Sequence, residues 1–245
     1  MCVFSQNRAL WHGGAFCGSS SSPQFDECRF LQNQASTAGA VIVFYGSQPR
    51  LRTCHFAGNS TDPEGNAALY ISCFVEATLE DCTFVGNHTS GSGPILGMGK
   101  MDCLTLRGCT FWGDETQDGA VIRAGELEVT LENTLVTENR GSLAVAGEAL
   151  LTLSCCDLFV NQNADGVVPI GDLLGAHGNI CEDPLLCDPA AGDLAIDCAS
   201  PGHRSPRPMQ NATGWAPIRS SAAPHRITRA VGTAQGRFPR MTGNV

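Results

Sequence analysis

The sequence predicts an all-β solenoid, a parallel β-helix, on three observations. A six-residue motif returns at a nearly fixed interval, apolar residues alternate along short runs, and the breaks between runs are Gly, Ser, Asn and Asp instead of helix caps. The motif is C-x-F-x-x-N. It stands at Cys2/Phe4/Asn7, Cys28/Phe30/Asn33, Cys54/Phe56/Asn59 and Cys82/Phe84/Asn87, and in weaker form at Cys109/Phe111/Asp114, Thr134/Val136/Asn139 and Cys156/Leu158/Asn161. First positions at 2, 28, 54, 82, 109, 134 and 156 give steps of 26, 26, 28, 27, 25 and 22 residues, a period typical of solenoid repeats. About seven coils of 22–28 residues follow.

Taken in chain order, each coil opens with the motif strand and then carries two further short runs. These are AVIVF then PRLRT, AALYI then ATLED, and AVIRA then LEVTLEN. Alternation with a period of two reads as three short strands per coil. A coil that rises by one strand spacing puts equivalent residues about 4.8 Å apart, so like stacks on like. Three ladders are expected: cysteines (Cys2, Cys28, Cys54, Cys82, Cys109, Cys156), phenylalanines (Phe4, Phe30, Phe56, Phe84, Phe111) and asparagines (Asn7, Asn33, Asn59, Asn87, Asn139, Asn161). Cysteine is a small, readily buried hydrophobe, and phenylalanine fills the centre of a coil. Asparagine is expected to end the strand by taking a left-handed turn conformation, with its amide bonding along the stack.

Residues 178–201 read GNICEDPLLCDPAAGDLAIDCASP. With the repeated coils before it, the chain resembles bacterial right-handed parallel β-helix repeat proteins of the secreted or surface type, whose last coil has the form D-P-L-F-x-D-P-x-x-G-D-Y-x-L-x-x-x-S-P-C. Asp183, Pro184, Leu185, Leu186, Asp188, Pro189, Gly192, Asp193, Leu194, Ser200 and Pro201 occupy that form. The resemblance covers residues 1–201 and implies a right-handed solenoid closed by this last coil, in a protein placed outside the cell or at its surface. For activity it implies no single answer, because such repeats serve adhesins, surface proteins and polysaccharide-active enzymes alike.

Charge divides the chain. Residues 1–198 hold eight Lys plus Arg against 24 acids, whereas residues 199–245 hold seven Arg and no acid. The second stretch also loses all strand alternation. Residues 202–245 are therefore expected to form a disordered basic segment. Their Arg, Pro, Ser, Ala and Gly content, and Gly202 where the family form has Cys, fit a GC-rich gene read out of frame. The alternatives are a basic tail for an acidic surface and an ordinary linker. No signal peptide or membrane-length apolar run is present, and nothing before Cys2 covers the first coil. The chain is thus expected to be a fragment whose parent supplies neighbouring coils.

Thirteen cysteines suit an oxidising compartment. The stacked thiols are expected to stay reduced, because in-register parallel neighbours strain the disulfide torsion. Cys181 and Cys187 are the candidate disulfide. Cys198 would lack its partner if the frame is lost. A zinc site from Cys181, Cys187, Cys198 and His177 has ligands of the right type but no C-x-x-C pair.

An enzyme acting on polysaccharide needs carboxylates gathered on one outward face. The outward positions after the motif's first residue are Val3, Arg29, His55, Thr83, Thr110, Leu135 and Asp157, which form no acidic ladder. Asp26, Glu27, Glu80, Asp81, Glu128 and Glu132 gather near the third strand in the alternation of a solvated face. The only Lys is Lys100. Trp11, His12 and Trp112 stand beside turns, where they could stack on a sugar or pack on a neighbouring coil. Asn59 and Asn87 match the glycosylation pattern, yet both are the repeat's own turn residue.

The expected function is a non-catalytic module, structural or interacting with extracellular polysaccharide or a surface protein, with no cofactor, metal, nucleic acid or membrane span. The alternative is a polysaccharide lyase or glycoside hydrolase of the parallel β-helix type.

Overall fold

The computed structural model describes residues 1–201 apart from residues 63, 74, 100, 118, 142, 147–149, 160, 162–174 and 198. The expected basic segment at 202–245, Cys198 and Lys100 lie outside the described residues. Within them the chain is all-β, with a single 3₁₀ turn and no α-helix. Three parallel sheets run the length of a solenoid. The motif sheet has seven strands: Val3–Ser5, Arg29–Leu31, His55–Ala57, Thr83–Val85, Thr110–Trp112, Leu135–Thr137 and Asp157–Phe159. The second sheet stacks Phe16–Ser19, Val41–Phe44, Leu69–Ser72, Leu96–Met98, Ala120–Arg123 and Leu143–Ala146. The third stacks Gln24–Asp26, Arg50–Arg52, Glu76–Glu80, Cys103–Arg107, Glu128–Glu132 and Leu150–Ser154. Six complete coils result, with the motif strand of a seventh.

The three expected strands are joined by a fourth, shorter ladder. Gln34–Ala35, Ser60–Thr61, His88–Thr89 and Glu115–Thr116 pair in parallel just after the motif asparagine. Two residues are too few to show an alternation, so no periodicity announces them.

Register is one to one. Phe4 pairs with Phe30, Phe30 with Phe56, Phe56 with Phe84 and Phe84 with Phe111. Their rings stack with centroids 5.0, 4.7, 4.8 and 4.4 Å apart and planes within 12° of parallel. Phe25, from the third sheet, meets this column edge-on, its ring 5.4 Å from that of Phe30. Val136 and then Leu158 continue the column in the same register.

Cys28, Cys54, Cys82, Cys109 and Cys156 are buried, and the thiol of each reaches the carbonyl two residues before it. Thr134, which replaces cysteine in the sixth coil, makes the same bond through its hydroxyl to Glu132 O at 3.1 Å. Cys2 and Asn7 depart from the expected interior ladders: both are exposed, because they lie in the first coil with a neighbour on one side only.

The turn chemistry differs from expectation. No motif asparagine has a positive φ. The left-handed residue is instead the one before it, namely Gln6, Gln32, Gly58, Gly86, Gly113 and Glu138, with φ between 54° and 63°. A second set precedes the motif's first residue: Glu27, Thr53, Asp81, Gly108, Asn133 and Cys155. The motif strand is thus bracketed by two left-handed corners. Glycine occupies the corner before asparagine in three successive coils, where it carries no steric cost.

The expected closing coil takes another form. Leu186–Asp188 and Asp193–Ile196 pair antiparallel and join none of the parallel sheets. Between them Pro189–Ala191 forms the 3₁₀ turn, with the Asp188 carboxylate accepting from Ala191 N at 3.2 Å and Gly192 ending it at φ 85°. Pro at the first turn position and Gly at the left-handed end make the segment reverse on itself.

Truncating one ring of the aromatic column should leave a void between two fixed neighbours. Phe56→Ala is expected to lower unfolding free energy by about 3–5 kcal/mol, measured by urea denaturation followed by circular dichroism. For the buried thiols, Cys82 and Cys156 are raised by burial, Cys156 to about 12, and thiolate is the reactive form. Alkylation with peptide mapping should therefore label Cys2 in the native protein and label Cys82 and Cys156 only after denaturation.

Candidate functional site

The polar device at the centre of the solenoid is the asparagine ladder. Asn33, Asn59, Asn87 and Asn139 are each fully buried. The Asn59 side-chain oxygen accepts from both the backbone N and the amide Nδ2 of Asn33, at 3.0 Å each. Its own Nδ2 donates forward to Asn87 Oδ1 at 2.9 Å and backward to the Phe30 carbonyl at 2.9 Å. All four hydrogen-bonding positions of the amide are filled. Asn33 and Asn87 repeat the pattern. These amides have no room for a glycan, so the glycosylation patterns at Asn59 and Asn87 mark structural turns.

Asp114 takes the asparagine position in the fifth coil and breaks the ladder's donor sequence. Its Oδ1 accepts from Asn87 N at 2.7 Å and Asn87 Nδ2 at 2.9 Å, as an asparagine would. Its Oδ2 replaces the missing Nδ2. At Asn59 and Asn87 the Nδ2 in that place donates to the next side-chain oxygen and to a phenylalanine carbonyl of the coil before, which a carboxylate oxygen cannot do, and Oδ2 has no hydrogen bond. Burial pushes the Asp114 carboxyl up to about 7, against which the bonds from Asn87 pull weakly. A proton on Oδ2 restores one of the two hydrogens that an amide would bring. The ionisable groups around this rung, His88, Glu115, Glu138 and Arg140, are exposed.

Since the folded value lies above the ordinary carboxylate value of 3.8, the fold favours the protonated acid. Stability from this group is present below about pH 4 and is lost as pH rises to about 7, by up to about 4 kcal/mol for a three-unit shift. Asp157, buried with its Oδ2 likewise without a bond, is raised by burial to about 7 and loses stability over the same window. Asp114→Asn is expected to raise the melting temperature at pH 8 while changing it little at pH 4, and to flatten the slope between. Equal melting shifts at both pH values would count against this account.

Of the acids that the sequence groups together, Asp26, Glu80, Glu128 and Glu132 lie on third-sheet strands, and Glu27 and Asp81 are the left-handed corner residues that follow. In register along the outward face of that sheet run Asp26, Arg52, Glu80, Arg107 and Glu132. Charge alternates from coil to coil. Arg52 Nε lies 3.3 Å from Glu80 Oε2, Arg107 Nη1 4.0 Å from Glu80 Oε1, and Arg107 Nε 2.8 Å from Glu132 Oε2. The Glu80 and Glu132 carboxylates are thus held by arginines. The sequence shows the acids; the interleaved arginines become visible only once the register is known.

On the motif sheet the outward row Arg29, His55, Thr83, Thr110, Leu135 and Asp157 is in register. Thr83, Thr110, Leu135 and Asp157 are buried, and Val3 alone is well exposed. His55 Nδ1 lies 2.5 Å from Thr83 Oγ1. Burial, with the Arg29 charge adding to it, lowers the imidazole to about 4, which keeps it neutral. Trp112 is half-buried, and its indole N–H donates to Glu138 Oε2 of the next coil at 2.9 Å.

Trp11 and His12 have a different setting. Trp11 is 74% exposed. The His12 ring packs 5.9 Å from Phe44, and Phe44 packs 5.2 Å from Tyr45, which is 58% exposed. The sequence gives Trp11 and His12 as isolated turn aromatics; folding sets His12 against Phe44 from the second coil.

Cys181 and Cys187, the candidate disulfide, are not bonded to each other in this structure. The Cys181 thiol is turned against the Leu158 carbonyl at 3.1 Å, and Cys187 lies in the antiparallel ribbon. Among the described residues no group of three or more His, Cys, Asp or Glu is arranged to hold a metal ion, and no helix is long and apolar enough to cross a membrane.

No curated protein matches the chain. Among solved structures, a trypsin-treated form of QnrB1, a plasmid-mediated fluoroquinolone resistance protein, is similar at 12% identity, with 74% of this chain and 91% of that chain covered and a TM-score of 0.26. The family described as "Right handed beta helix region" matches residues 1–168. With its parallel sheets, one-to-one register and repeated motif, the chain belongs to the right-handed β-helix family.

Proposed function

We propose that the protein is a non-catalytic β-helix module that lies outside the cell or at its surface and presents its side faces to extracellular polysaccharide. The observation that carries this reading is the group of rings at His12, Phe44 and Tyr45, with the exposed Trp11 next to His12 in the chain; His12 and Tyr45 are exposed and Phe44 is half-buried between them. Large exposed rings with polar handles are costly to leave in water and suited to a partner that is apolar on one face and hydroxylated at its edge. Thirteen cysteines support the extracellular setting.

The absence of catalysis is supported by what the carboxylates do. Glycoside hydrolysis uses two carboxyl groups facing each other across the scissile bond, one of them free to give a proton. Glu80 and Glu132 are instead shared with Arg52 and Arg107. Of the acids raised above the ordinary carboxylate range, Asp114 and Asp157 are buried, out of a substrate's reach, while Asp81 is exposed at the corner before Cys82, raised by partial burial and by the neighbouring Glu80.

Affinity electrophoresis through gels containing extracellular polysaccharides, with a parallel assay for released reducing ends and unsaturated products, tests the reading. Retardation by at least one polysaccharide without product is the expected outcome. Product formation would replace it with the hydrolase or lyase alternative, and free migration in every gel would remove polysaccharide as the partner.

A further inference from the structure

The rings stand on or beside second-sheet strands that carry no formal charge. Residues 9–25, 30–49, 65–75 and 82–99 contain no Asp, Glu, Lys or Arg, although the chain carries 24 acids and 15 basic residues. These segments supply the second-sheet strands of the first four coils: Phe16–Ser19, Val41–Phe44, Leu69–Ser72 and Leu96–Met98. The first charged side chain in a second-sheet strand is Arg123, in the fifth coil, and its guanidinium is bonded to the Ser92 carbonyl. The acid at the edge of this face is Glu76, whose carboxylate accepts from Gln48 Nε2 at 3.2 Å, and the turn before the third coil's strand carries Asp62 and Glu64.

Two kinds of group make up this face. Trp11, His12, Phe44 and Tyr45 supply the rings, and the half-buried Tyr70 lies one coil further on, in register with Ile42. Around them stand exposed hydroxyls and an amide from Ser19, Ser20, Ser21, Ser22 and Gln48. Rings take the C–H face of a sugar while hydroxyls and amides exchange hydrogen bonds with its edge. Uronate or sulfate groups would require cations, which this surface lacks.

Resting on the proposed polysaccharide reading, we infer that the outward face of the second sheet over the first three coils is the binding surface, and that its ligand is an uncharged glycan chain. Phe44 and Tyr70 stand on strands fixed in the second sheet and His12 packs on Phe44, so these rings are placed before the ligand arrives and need little ordering on binding.

The test uses the full chain in affinity gels containing either neutral polysaccharides (cellulose derivative, xylan, β-glucan, glycol chitin) or acidic ones (polygalacturonate, alginate, hyaluronan). Trp11→Ala and Tyr45→Asn are the variants; asparagine tolerates the positive φ of 62° at position 45. Both residues are exposed, and circular dichroism checks that the fold is kept. The expected result is retardation by a neutral glycan, weakened at least tenfold in each variant and unaffected by 0.5 M salt. Retardation that persists in both variants would overturn the face while leaving the polysaccharide reading intact. Binding restricted to acidic glycans would overturn the ligand class, and no binding to any would overturn both.

Discussion

The rest of the structure depends on the requirement that each coil lie in register on the last. In a parallel stack a slip of one residue turns every inward side chain outward, so a solenoid needs something that pins each coil at one place. The buried asparagine does this. Its amide oxygen holds the backbone N and the side chain of the coil before, and its Nδ2 holds the next coil and the preceding phenylalanine carbonyl. An unmade hydrogen bond at such a buried site costs more than a made one contributes. Displacing the register would orphan several at once.

Given that pin, the remaining features follow as ladders. Phenylalanines stack because they are three residues from a fixed point, and the cysteines two residues before them are buried in the same register. Left-handed residues on both sides of the motif strand fold the chain toward the next face. The same regularity makes exceptions legible. Asp114 differs from asparagine by one group and leaves an oxygen where a donor belongs. Its proton is a structural component of the ladder.

How much of this could be read in the sequence depended on whether the signal repeats. Phe30, Phe56 and Phe84, or Asn33, Asn59 and Asn87, recur at a constant offset and so announce stacking directly. The corner conformation was misplaced by one residue because asparagine's known tolerance of positive φ offered a sufficient reason, while Gln32 or Glu138 offered none. The four two-residue strands left no alternation to detect. Arg52 and Arg107 could be counted but not paired, since pairing requires the exact register between coils of unequal length. The aromatic row had the same obstacle: His12 and Phe44 are distant in sequence and in different turns, and only the loop ahead of Phe16 brings their rings together.

The alternation of Asp26, Arg52, Glu80, Arg107 and Glu132 gives the solenoid a parity. By motif the repeating unit is one coil, but by surface charge it is two. Deleting or duplicating a single coil within this run would set like charges side by side, which is unfavourable for directly opposed residues on adjacent strands. Removing or adding coils in pairs would keep every acid beside an arginine. Growth of the repeat by tandem duplication is therefore not equally free at every step, and lengths that differ by an even number of coils are the ones this face accepts without further change.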